Sequence, residues 1–154
     1  IVDHAADGEE GLTLALSSTF DVLIVDRMLP KRDGLSVVET LREEGVLLIG
    51  SGHITHNLRD LFPVMRCVST ADPAMVDQVN EFVGWFAERF AAGDRDAILN
   101  WKDRAPHTRE NHPTDEHLMP IFFAYGAAGA DAKAERAHAS RQYGFFAWDS
   151  YLFH

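Results

Sequence analysis

Short apolar runs alternate with helix-like periodicity over the amino-terminal third of the chain. Val22 to Val25 is continuously apolar and lies between two aspartates, as expected of a strand buried on both faces. Leu12, Ala15 and Leu16 recur at a spacing of three to four, which predicts an amphipathic helix over residues 8–18. The other predicted elements are strands over residues 1–5 and 46–49 and a second helix that ends near Glu44. This alternation predicts the α/β class, with an open, mostly parallel sheet flanked by helices in a single compact domain.

Helical periodicity dominates the remaining two-thirds. Ala74 to Ala92 places apolar residues at helical spacing and is followed by Gly93, a typical helix stop. Asp94 can cap a shorter helix that ends before Pro106. The aromatic residues of the longer helix are predicted to lie in the core rather than in a cofactor site.

Composition and charge narrow the function classes. The chain of 154 residues is long enough for one domain with a proper core. Its 14 basic and 24 acidic residues give a net charge of −10, which argues against nucleic acid and anionic lipid and favours small molecules or proteins as partners. Cys67 is the only cysteine, so a reducing, cytoplasmic setting is expected. Leu118 to Ala130, the longest apolar stretch, is shorter than the about 20 residues of a membrane helix.

Histidines identify two segments as candidate functional sites. His53 and His56 follow a predicted strand in a glycine-rich loop, where ligands of open α/β sheets bind. Thr114 is predicted to be the N-cap of a helix that runs through Tyr125 and carries His117 in its first turn. The histidines at 107, 112 and 117 are five residues apart, which on one helix separates successive side chains by about 140 degrees. Any metal site must therefore combine distant segments.

The amino-terminal third resembles the receiver domain of response regulators in the segments Asp7-Gly8-Glu9-Glu10-Gly11-Leu12, Asp21 to Pro30 and Asp33-Gly34-Leu35. The resemblance implies a phosphorelay module in which Asp26 accepts a phosphoryl group with the help of Mg²⁺. The acidic pair and the lysine that the family adds to this site have no match, since the lysines here are Lys31, Lys102 and Lys133. A carboxylate that caps the turn after a strand is the structural alternative for Asp26.

The remainder resembles the carboxyl-terminal part of the DODA-type class III extradiol dioxygenases, in the LigB superfamily. The matching segments are Glu44 to Arg59, His112 to Pro120, Gly126 to Gly129 and Tyr143 to Phe153. The resemblance implies a non-haem Fe(II) or Zn(II) site that opens a small aromatic diol with O₂. In the metal site that the resemblance implies, His117 is a metal ligand, and His56 is a metal ligand or the catalytic acid and base. His53 and His112 are expected beside these positions.

The predicted boundary separates a receiver-like fragment, residues 1–44, from a dioxygenase-like part, residues 45–154. The family takes two further metal histidines from amino-terminal segments that do not occur here, so the two remaining imidazoles are expected to hold metal weakly. Ligands pooled across a homo-oligomer interface would be one way to complete the site. A folded chain without activity is the remaining alternative.

Overall fold

The computed structural model describes residues 2–26, 29–67 and 69–154. These residues contain both helices and strands, so the mixed α/β composition is confirmed. The helices are α1 (Gly8–Ser17), α2 (Gly34–Glu43), α3 (Leu58–Met65), α4 (Pro73–Ala92), α5 (Arg95–Leu99), α6 (Trp101–Arg104), α7 (Thr108–Asn111) and α8 (Met119–Ala127). The strands are β1 (Ala134–Gln142) and β2 (Phe146–Phe153), which pair in antiparallel fashion.

The chain divides into two compact units, Ile1–Ile49 and Gly50–His154. In the first unit, Asp7 caps α1 by accepting hydrogen bonds from the backbone N–H groups of Glu9 and Glu10. Lys31 Nζ lies 2.6 Å from Asp7 Oδ2, which ties the loop before α2 to the start of α1. The predicted helices over residues 8–18 and up to residue 44 are confirmed as α1 and α2.

The predicted open parallel sheet is absent from the described residues, in which β1 and β2 form the sheet. Residues 22–26 and 46–49 have no strand pairing in this part of the chain. Leu23 and Val25 pack against the buried side chains of α1 and α2. Val22 and Ile24, in contrast, are 76% and 98% exposed. A strand buried on both faces needs neighbouring strands and a second covering layer, and the apolar pattern alone does not supply them.

Aromatic side chains form the core of the second unit. Phe82, Phe86 and Phe90 follow one face of α4 and are at most 2% exposed. Trp101 packs against the first two of these rings at centroid distances of 6.4 and 6.2 Å. Gly93 ends α4 with φ of 64°, a left-handed conformation that glycine adopts without strain. The predicted core role of these aromatics and the glycine stop are confirmed.

The helix start predicted at Thr114 is wrong. The helix begins at Met119, and Thr114 Oγ1 instead donates to Glu116 Oε1 at 2.9 Å. Pro120 is favoured in a first helical turn, where its missing N–H costs nothing, and this places the start later. His117 therefore lies in the turn before the helix rather than in its first turn.

Within the described ranges, no helix has the length and apolar character that crossing a membrane requires.

Candidate functional site

Three segments of the second unit meet around the glycine-rich loop. The His53 N–H donates to the carbonyl oxygen of His117 at 2.8 Å, which joins the loop to the turn before α8. The His56 N–H donates to the Asn111 carbonyl oxygen, also at 2.8 Å. Thr55, which is 2% exposed, accepts at Oγ1 from the N–H of Ala147 at the start of β2. These long-range bonds fix the backbone that carries the histidines.

Two glycines allow this close approach. A Cβ on Gly52 would lie 2.3 Å from the His117 carbonyl oxygen, and one on Gly50 would lie 2.2 Å from the carbonyl oxygen of Pro120. Both distances are well inside van der Waals contact, and the opposing atoms are backbone atoms that cannot rotate away. The loop therefore reaches the turn before α8 because these two positions lack side chains.

Two of the histidine rings are stacked, and a third lies close to them. The centroids of His56 and His117 are 3.4 Å apart with an interplanar angle of 24°, and the centroid of His53 is 6.0 Å from that of His56. Burial, followed by the nearby charge of His117, lowers the pKa of His53 and of His56. The neutral imidazole, which is the form that binds metals, is thereby favoured at neutral pH.

His112 is a buried residue that packs beneath the glycine-rich loop. It is 4% exposed, and its Nε2–H donates to the Ile54 carbonyl oxygen at 2.9 Å. Its ring packs against Phe82 and Trp101, with centroids 5.8 and 6.1 Å away. Burial is the main cause of its lowered pKa. His112 therefore supports the loop through its hydrogen bond to the Ile54 carbonyl oxygen.

The residues fit a metal ion only in part. The stacked pair of His56 and His117 offers two imidazoles, and His53 Nδ1 is buried without a hydrogen-bond partner in the part of the chain that is described. No group of three or more histidine, cysteine, aspartate or glutamate side chains in those same residues could hold a metal ion. Since a protein site for Fe(II) or Zn(II) uses at least three protein ligands, this pair is an incomplete site.

An aromatic surface adjoins the histidines and was missed by sequence reasoning. The ring centroid of Trp148 is 4.4 Å from that of His53, and the centroid of Phe146 is 5.3 Å from it. Both aromatics belong to β2, whose hairpin turn contains Tyr143 and Gly144 with φ of 55° and 83°. A tyrosine-glycine pair followed by alternating aromatic residues is the signal that would have predicted this hairpin.

A small cavity of about 90 Å³ adjoins the same loop. Thr55, Asn57 and Phe146 contribute to its wall, and so do the carboxylate-bearing residues Asp60 and Glu110. Asn57 Nδ2 donates to Asp60 Oδ2 at 2.5 Å and to the Glu110 carbonyl oxygen at 2.7 Å. The amide thus joins the start of α3 to α7 and stabilises the loop that ends at His56.

Asp26, the candidate phosphoacceptor, lies in the first unit and is exposed at the end of residues 22–26. The lysine nearest to it in sequence, Lys31, is paired with Asp7. The Lys31 side chain of this ion pair is 61% exposed, whereas the Asp7 side chain is 12% exposed. The structure therefore joins Lys31 to the cap of α1.

Two classes of known protein are similar to this chain in sequence: extradiol dioxygenases and transcriptional regulatory proteins. The 4,5-DOPA dioxygenase extradiol of Beta vulgaris is 34% identical over 113 residues, which are 73% of this chain and 40% of that protein. The enzyme of the same name from Mirabilis jalapa is 31% identical over 131 residues, 80% of this chain and 46% of that protein. The transcriptional regulatory protein DltR of Streptococcus agalactiae is 49% identical over 45 residues, 29% of this chain and 20% of that protein.

The resemblances to a DOPA-type extradiol dioxygenase and to a response regulator are thereby confirmed. The chain spans less than half the length of the dioxygenases that it matches. No family model matches it.

Proposed function

We propose that residues 50–154 are the histidine-bearing part of an extradiol ring-opening dioxygenase that binds Fe(II) or Zn(II) and a small aromatic diol. The observation that carries this proposal is the stacked pair of His56 and His117, in a chain with similarity to 4,5-DOPA dioxygenases. Both side chains are held by a loop and a turn that hydrogen bond to each other.

The metal, when bound, would hold a deprotonated diol next to O₂. His56 and His117 would supply two imidazole ligands. The lowered pKa of His56 keeps its ring neutral and able to bind metal or to accept a proton near pH 7. Because three protein ligands are the usual minimum, we expect weak metal binding and little or no turnover from this chain alone.

Two further parts of the proposal concern the oligomeric state and the cellular compartment. A homo-oligomer could bring a histidine of a second copy to the metal. The single cysteine suits a reducing cytoplasm. The homo-oligomer can be tested through the metal stoichiometry per chain and the mass of the metal-loaded protein in solution.

Zn(II) titration by calorimetry tests the histidine pair. The wild-type chain is expected to bind Zn(II) with a micromolar or weaker dissociation constant, and His117→Ala and His56→Ala are each expected to weaken binding at least tenfold. His138→Ala is the matched control, because His138 is an exposed histidine of β1 whose Nε2 lies near Ser140 Oγ. Equal Zn(II) affinity in wild-type and His117→Ala protein would refute the proposal.

A second candidate function is phosphoryl transfer to Asp26 in the first unit. The 45-residue similarity to DltR favours it, at 49% identity. Mg²⁺ would offset the charge of the phosphoryl oxygens at such a carboxylate. Incubation with acetyl phosphate and Mg²⁺ followed by mass spectrometry is the test. A phosphoryl adduct that Asp26→Ala abolishes would support this function, and an unchanged mass would refute it.

A further inference from the structure

Trp148 is an exposed aromatic side chain beside the histidine loop. It is 43% exposed, whereas Trp101 of the core is 4% exposed. Its centroid lies 4.4 Å from that of His53, with an interplanar angle of 60°. It also lies 5.6 Å from the ring of Phe146, at 69°. Single exposed apolar residues are common on protein surfaces, but this one continues a cluster of rings that runs through His53 and His56 to His117.

The orientation of this ring is fixed by the hairpin. Trp148 Nε1 donates to Gln142 Oε1 at 3.2 Å. Trp148 pairs with Ser140 across the hairpin, and the N–H of its neighbour Ala147 donates to Thr55 in the histidine loop. A ring that is already held in place loses little conformational entropy when a ligand packs against it.

We infer that Trp148 is a substrate-positioning residue, which binds the planar ring of an aromatic diol and holds it beside His53 and the pair of His56 and His117. This inference rests on the proposed function. A flat aromatic ring is a suitable ligand for the Trp148 ring because aromatic rings attract each other in offset-stacked and edge-to-face arrangements. His53, whose ring neighbours both Trp148 and His56, connects the aromatic surface to the candidate metal ligands.

Binding of 4-nitrocatechol to the full chain tests this inference, by equilibrium dialysis in EDTA and again with saturating Zn(II). Trp148→Ala is expected to weaken binding about fivefold to tenfold in both buffers, as one lost aromatic contact would. Trp148→Phe is expected to restore binding to within about twofold of wild type. Leu152→Ala is the control, because Leu152 is a 54% exposed residue of the same strand.

Gln142→Ala adds a variant that leaves the tryptophan in place and frees its orientation. It is expected to weaken binding by about twofold to threefold, in keeping with the loss of one exposed hydrogen bond. It also keeps the inference testable if Trp148→Ala does not fold. Trp148→Ala or Gln142→Ala protein that binds as tightly as wild type would overturn the inference, and so would wild-type protein without saturable binding in either buffer.

The two buffers separate this inference from the proposed function. Under the proposed function, Zn(II) tightens 4-nitrocatechol binding and His117→Ala removes that gain. If Zn(II) has no effect while Trp148→Ala still weakens binding in EDTA, the metal site fails and the aromatic surface stands. If Zn(II) tightens binding equally in wild-type and Trp148→Ala protein, with equal affinities, the role of Trp148 fails.

Discussion

Gly52→Ala should separate the histidine loop from the turn that carries His117. The added Cβ would lie 2.3 Å from the His117 carbonyl oxygen and 2.9 Å from Pro120 Cγ. Neither partner is the mobile end of a flexible side chain, so the backbone of the loop must shift. The shift acts directly on the hydrogen bond from the His53 N–H to the same carbonyl oxygen, now 2.8 Å long.

The size of the effect follows from these contacts. Loss of one backbone hydrogen bond costs about 0.5–1.5 kcal/mol net. Forcing an extra methyl group into close-packed structure costs about 1–3 kcal/mol. We therefore expect Gly52→Ala to lower the free energy of unfolding by about 2–4 kcal/mol in total. With a urea slope of about 2 kcal/mol per molar, the middle of the usual range, the midpoint should fall by about 1–2 M.

Urea unfolding, followed by tryptophan fluorescence, measures this change, and Zn(II) titration of the folded variant measures its effect on the site. Gly84→Ala is the matched control, because Gly84 lies within α4 and a Cβ there would meet open space as far as the described residues extend. We expect that control to gain about 0.5–1 kcal/mol from helix propensity. A Gly52→Ala protein with the wild-type midpoint and Zn(II) affinity would refute this account of the loop.

Three further outcomes are expected. Burial lowers the pKa of His112 below its ordinary value of 6.5, so the unfolded chain binds the proton more readily, and the urea midpoint should be highest above pH 6.5 and decline below it. A flat midpoint between pH 7.5 and 5.5 would contradict this. Phe86→Ala removes a fully buried ring and should cost about 3–5 kcal/mol in the same urea assay. Asp149→Ala leaves Arg136 and Arg141 without the buried carboxylate that they share and should cost about 1–3 kcal/mol in a thermal melt, whereas its exposed neighbour Ser150→Ala should cost almost nothing.

Elements with strong local signals could be predicted from the sequence. Helix α4 has apolar side chains at helical spacing and a glycine in the left-handed conformation at its end, and both features are local. Asp94 accepts from the N–H of Ala97 as a cap, which the sequence also indicated. Helices α1 and α2 follow the same logic, since each is preceded by a capping aspartate.

Elements that depend on distant partners could not be predicted in this way. The apolar runs at residues 22–25 and 46–49 have strand-like composition, but pairing depends on neighbours that pattern does not reveal. The start of α8 was predicted too early because the turn at residues 115–118 has its own hydrogen bonds, such as that from the Leu118 N–H to the Asp115 carbonyl oxygen.

The candidate site also combines features that the sequence indicated with contacts between distant residues that it did not. Resemblance drew attention to His56 and His117, and the structure brings their rings together. The role of each histidine stays a prediction. The bond from the His53 N–H to the His117 carbonyl oxygen spans 64 residues, and no local pattern signals it. The position of Trp148 beside the histidine loop could not be predicted either, because it depends on the contact with the His53 ring rather than on sequence neighbours.

Zinc-edge X-ray absorption of the Zn(II)-loaded chain tests the central claim most directly. We expect two imidazole nitrogens per Zn(II) at about 2.0–2.1 Å, with oxygen ligands completing the shell and the imidazole signal lost in the double variant of His56→Ala and His117→Ala. Cys67 is exposed and offers a competing thiolate, which would give a sulfur ligand at about 2.3 Å. A spectrum with sulfur or oxygen ligands and no imidazole would contradict the claim that these two histidines form the metal-binding pair.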